Sequence, residues 1–96
     1  MMTEQQHSAV VRRINAHREC HGVYPSHETI LRWMLETGAE ITYRDALEYG
    51  LGSTFRSRLS DLRHQLDIES REVIVPTRYG RPATVHAHRL ARGGVQ

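Results

Sequence analysis

The chain has 96 residues, 39 % of them apolar and 25 % charged, with a net charge of +2. Those proportions fit one folded domain with an economical core and exclude global disorder. Cys20 is the only cysteine, which excludes an internal disulfide framework, and no apolar run reaches the roughly 18–20 residues that span a membrane.

Residues Thr3 to Cys20 read as a helix, because Ala9, Val10, Ile14, Ala16 and His17 recur at helical spacing and Gly22 stops the pattern. Met1 to Gln6 lacks the basic-then-apolar order of a secretory signal, so a cytoplasmic location and no membrane partner are expected. Pro25 holds Tyr24 extended in a connector. Ser26 then caps a second helix whose apolar stripe is Ile30, Leu31, Met34 and Leu35, with Gly38 as its C′ residue. Trp33 lies between stripe positions, yet its ring is expected to be substantially covered.

Ala39-Glu40-Ile41 reads as a short extended piece able to join the edge of a sheet. Thr42 caps a short third helix, Tyr43 to Tyr49, with Asp45 as its capping-box partner. Gly50-Leu51-Gly52 breaks it, and Ser53 caps a fourth helix running to about Gln65. Phe55, Leu59, Leu62 and Leu66 form its buried stripe, expected to pack with Ile30, Met34 and Ala46. The period then changes to alternation: Ile68 to Val75 and Ala83 to Leu90 read as two strands joined by residues 77–82. Residues 92–96 read as a loose tail. The predicted class is α+β, mainly α: three to four helices followed by a β-hairpin.

Two features of residues 41–90 carry a family resemblance. One is Thr42, Ala46, Gly50 and Leu51 at helix-turn-helix spacing; the other is Arg58-Leu59-Ser60-Asp61-Leu62-Arg63 ending the next helix, ahead of the hairpin. Ala46 permits close helix crossing, Gly50 supplies the left-handed backbone that ends the third helix, and Leu51 plugs the angle. The segment resembles a winged helix-turn-helix domain of the small bacterial and phage regulator kind. Arg56 departs from the pattern by standing where an apolar residue is usual, with Phe55 one position earlier, and Gln65-Leu66 replaces a customary Gly. The resemblance divides the single domain 1–96 into N-terminal helices (1–38), helix-turn-helix (39–66), β-hairpin wing (67–91) and tail.

It also implies sequence-specific binding of double-stranded DNA and transcriptional regulation. Charge placement agrees: residues 1–52 hold five Arg against seven acids, and residues 53–96 hold eight Arg against four. Every cation is Arg, a fork suited to phosphate or guanine. On the polar face of the fourth helix lie Ser53, Thr54, Ser57, Ser60 and His64, flanked by Arg56 for base reading and Arg63 for phosphate. Arg78, Tyr79 and Arg81 occupy the hairpin tip, facing backbone or minor groove. Thr42, Tyr43 and Arg44 open a helix whose free N–H groups suit a phosphate. Arg58 is expected to pair with Asp61 instead.

No catalytic constellation or phosphate loop is present in the sequence, so the chain is expected not to be an enzyme and to need no cofactor. His17, Cys20 and His21 share a helix face, and His86 and His88 a strand face, but paired zinc-ligand spacing is lacking and no metal is expected. Three readings therefore stand: a DNA-binding regulator, a winged-helix protein-binding module such as an inhibitor of a host protein, and a small metal-binding protein. A homodimer is compatible with each.

Overall fold

The computed structural model describes residues 1–91; the expected loose tail lies outside them. The chain is α+β and mainly helical: α1 (Glu4–His21), α2 (His27–Glu36), α3 (Tyr43–Leu47) and α4 (Phe55–Arg63) precede β1 (Ile68–Val75) and β2 (Ala83–Leu90). None of these helices is long and apolar enough to cross a membrane.

The first three helices begin at residues whose side chains bond the backbone of the first turn. Thr3 and Gln6 form a reciprocal capping box on α1, with Gln6 N–H donating to Thr3 Oγ1 at 3.2 Å and Thr3 N–H to Gln6 Oε1 at 2.8 Å. Ser26 Oγ accepts from Thr29 N–H at 3.2 Å and starts α2. On α3, Asp45 Oδ2 accepts from the Thr42 N–H at 3.0 Å and from its hydroxyl at 3.3 Å. Both ends of α4 differ from expectation. α4 begins at Phe55 with Thr54, not Ser53, at its N-cap position, because the Thr54 hydroxyl is engaged by His27 Nδ1 at 2.8 Å and holds the preceding turn. At its other end α4 gives way after Arg63 to a turn that retains the Gln65 N–H and Leu66 N–H bonds to the Leu62 carbonyl.

The α3–α4 connection follows from Gly50. Its φ of +78° is a left-handed conformation that favours glycine. Gly50 N–H donates to the Leu47 carbonyl and Leu51 N–H to the Ala46 carbonyl, both at 3.1 Å, the paired bonds of a Schellman ending. Residues 48–49 complete that last turn with short-range bonds, so regular α3 stops at Leu47 rather than Tyr49. Leu51 emerges fully buried in the helix angle, over a fully buried Ala46.

One core joins the helices to the base of the hairpin. Ile30, Met34, Ala46, Phe55, Leu59 and Leu62 are buried together as expected, with Val10, Leu31, Leu35, Ile41 and Ile68. α1 contributes a narrower stripe than its sequence suggests: Val10 is buried and Ile14 and His17 half-buried, while Ala9 and Ala16 face outward. Trp33 is half-buried, its ring covered by the Arg13 guanidinium at 4.7 Å and edged by His17. β1 and β2 pair antiparallel, Ile68 opposite Leu90 through Val75 opposite Ala83. Ile41 adds a single bridge to His88 on the other side of β2, through backbone bonds of 2.7 and 2.8 Å. Beyond the core the hairpin stands free, with Ile74 and Tyr79 both exposed.

Candidate nucleic-acid interface

Helical spacing divides α4 cleanly. Phe55, Leu59 and Leu62 enter the core, so Ser57, Ser60, His64, Arg56 and Arg63 lie exposed on the remaining surface. Ser53 is exposed in the preceding turn, and Thr54 is half-buried with its hydroxyl engaged by His27. Tyr43 and Arg44 are exposed at the start of α3, and the Tyr43 ring stands edge-on to Phe55 at 6.1 Å. Thr42, by contrast, is buried, and the anion beside its N–H is the chain's own Asp45. Of the three residues expected to open a phosphate-facing helix start, Tyr43 and Arg44 are exposed, and the Thr42 N–H is taken by the Asp45 carboxylate.

At the hairpin tip, Thr77 closes the turn by accepting from Gly80 N–H at 3.1 Å and donating to the Arg81 carbonyl at 2.8 Å. The closure leaves Arg78, Tyr79 and Arg81 exposed, with the Arg78 guanidinium 5.2 Å from the Tyr79 ring centre.

Ion pairing sorts the arginines of the second half. Arg58 pairs with Asp61 at 3.2 Å as expected, and Arg71 and Arg89 pair with Glu40 and Glu69. Among the described residues, Arg56, Arg63, Arg78 and Arg81 have no carboxylate within ion-pair distance. The first two flank α4 and the last two crown the hairpin.

Arg63 has a neutral partner that the sequence did not suggest. Its guanidinium donates to Ser70 Oγ, which lies 2.6 Å from His88 Nδ1. Burial, aided by the nearby Arg63 charge and by His86, pushes the His88 pKa down to about 4. His88 is therefore neutral at pH 7, and the consistent proton order runs from Arg63 to Ser70 and from Ser70 to His88 Nδ1. The only advance signal was the cross-strand position of residues 70 and 88, which cannot be read before the register is known.

Between α4 and the hairpin lies a groove of about 670 Å³. Tyr43, Arg56, Ser60 and Arg63 reach it from the helices, Thr84, His86 and His88 from alternate positions of β2, and Phe55 and Leu59 form its floor. The structure thus brings Tyr43 together with part of the α4 polar face, while Arg78, Tyr79 and Arg81 stand apart at the tip. Outside the groove, His7 Nδ1 lies 2.6 Å from the Tyr49 hydroxyl and His7 Nε2 lies 3.9 Å from Asp45. Burial, with the Glu48 and Asp45 charges, raises the Tyr49 pKa to about 12. That phenol holds its proton and serves as a staple between α1 and the turn that ends α3. His17 and His21 approach to 4.4 Å beside an exposed Cys20, and among the described residues no three His, Cys, Asp or Glu side chains converge as a metal-ligand set.

No protein-family model matches the chain, and no curated protein or solved structure matches it at a significant level.

Proposed function

We propose that the protein is a winged helix-turn-helix module that binds double-stranded DNA in a sequence-specific way and regulates transcription. In this reading α4 enters the major groove and the hairpin tip, as the wing, meets the backbone or minor groove. The element order, the Schellman turn at Gly50 and the Ile41 bridge to β2 are compatible with that layout. The observation that carries the reading is the sorting of guanidiniums. The Arg residues of α4's outer face and of the hairpin tip are without carboxylate partners among the described residues, whereas Arg58, Arg71 and Arg89 are neutralised. Unpaired forks on two separate projections suit a polyanion that spans both.

Serines give α4 a low profile in a groove, and Arg56 is the base-reading side chain. Arg78 and Arg81 contact phosphate. The module works by binding in the cytoplasm and performs no reaction. A host protein as partner is the second reading, favoured by the exposed Ile74 on the hairpin.

The test measures binding to a selected site and to random duplex at several salt concentrations. Arg56→Ala is expected to relax preference at one position by ~1–3 kcal/mol. Arg78→Ala and Arg81→Ala are expected to weaken both duplexes alike and to lower the salt slope by about one per lost contact. Absence of duplex binding at low salt refutes the DNA reading in favour of the protein-binding one.

A further inference from the structure

We propose that the groove between α4 and the hairpin is a binding site for a small planar aromatic carboxylate, a ligand that shares Arg56 with the DNA face. This goes beyond the DNA reading, and the ligand site itself does not depend on it.

The walls set the ligand's shape. Tyr43, Phe55, His88 and His86 form a continuous aromatic series: Tyr43 is edge-on to Phe55 at 6.1 Å, Phe55 to His88 at 5.7 Å, and His88 is stacked near His86 at 6.4 Å. Such edges and faces favour a flat ring over a branched aliphatic group. The volume of about 670 Å³ lies inside the range of small-molecule sites.

The rim sets its charge. Arg56 and Arg63 both line the groove, and no carboxylate does. They stand seven residues apart on α4, about 10 Å along the axis at 1.5 Å per residue, with Leu59 of the apolar floor between them and Phe55 beside Arg56. Arg56 has no acidic partner among the described residues, and Arg63 keeps only a neutral one in Ser70. A guanidinium fork donates to both oxygens of a carboxylate, while the ring replaces water on the aromatic wall. His88, neutral at pH 7, packs against Phe55 without adding charge to the floor.

The probe is naphthalene-2-carboxylate, titrated at pH 7 into the ¹⁵N-labelled full chain without DNA. The expected result is saturable amide shifts in α4 and β2, with naphthalene-2-carboxamide, the same ring without the charge, binding about tenfold more weakly. The Arg56→Gln, Arg63→Gln double variant is expected to lose about tenfold in carboxylate affinity while retaining its dispersed spectrum. Equal affinity for acid and amide, shifts centred on Val23–Tyr24 or Ile74, or no saturable shift overturns the site. The acid-against-amide comparison needs no variant, so it decides the matter even if the double variant fails to fold. Because this titration contains no DNA, its failure leaves the DNA reading standing, and failure of duplex binding leaves the ligand site standing. Where the duplex does bind, saturating carboxylate is expected to weaken it severalfold, and unchanged duplex affinity refutes the shared use of Arg56.

Discussion

Protonation of His88 is expected to loosen the whole domain. The imidazole is only 8 % exposed, wedged beside Phe55 and bonded through Ser70 to Arg63. The groups facing it from neighbouring elements are Arg63 of α4, Ser70 of β1 and His86 of β2, none of which stabilises a cation. Its pKa falls to about 4 in the folded chain from an ordinary 6.5. Between those values the unfolded chain binds a proton that the folded chain refuses. Stability from this group is therefore fully present above pH 6.5 and is lost as pH falls toward 4. At about 1.4 kcal/mol per pH unit, the descent from 6.5 to 5 removes about 2 kcal/mol, or ~1–2 kcal/mol after screening on the open side of the groove. Urea unfolding at pH 7 and pH 5 measures the loss. His88→Asn is the control, since the Asn Oδ1 falls near the position of Nδ1 and can accept from Ser70 without titrating. The variant should have a flatter pH dependence than wild type. Parallel curves for the two proteins would refute the assignment.

Three further outcomes test the packing. Leu59→Ala is expected to cost ~2–5 kcal/mol, because Leu59 is a buried member of the α4 stripe; an unchanged melting temperature counts against that stripe. Asp45→Ala strands the Thr42 N–H and hydroxyl and releases the Met2 N–H, which lies 3.4 Å from Asp45 Oδ1, so a loss of about 1–3 kcal/mol is expected by urea unfolding, with faster amide exchange at Thr42. Gly50→Ala meets no atom within 4 Å at a φ of +78°, so its cost is backbone strain alone, about 1 kcal/mol; no change in urea midpoint would mean that the turn relaxes out of the left-handed region.

Local chemistry made much of this protein legible in advance. Caps at Ser26 and Thr42, the stops at Gly22, Gly38 and Gly50, and the switch from helical to alternating period depend on residues within a few positions of one another. Both strands therefore run as the alternation predicts, Ile68–Val75 and Ala83–Leu90. The polar face of α4 was legible for the same reason, as the complement of its apolar stripe.

Tertiary structure alone decided how those pieces meet. His27 takes the Thr54 hydroxyl and moves the start of α4 past Ser53. Strand register sets Ser70 opposite His88, and so links Arg63 through Ser70 to a histidine 25 residues further along the chain. Close packing buries Thr42 and Asp45, two polar residues that sequence alone would leave at the surface. The division has a physical basis: capping and periodicity are short-range consequences of backbone geometry, whereas burial, pKa and groove shape depend on which distant side chains packing brings within a few ångströms.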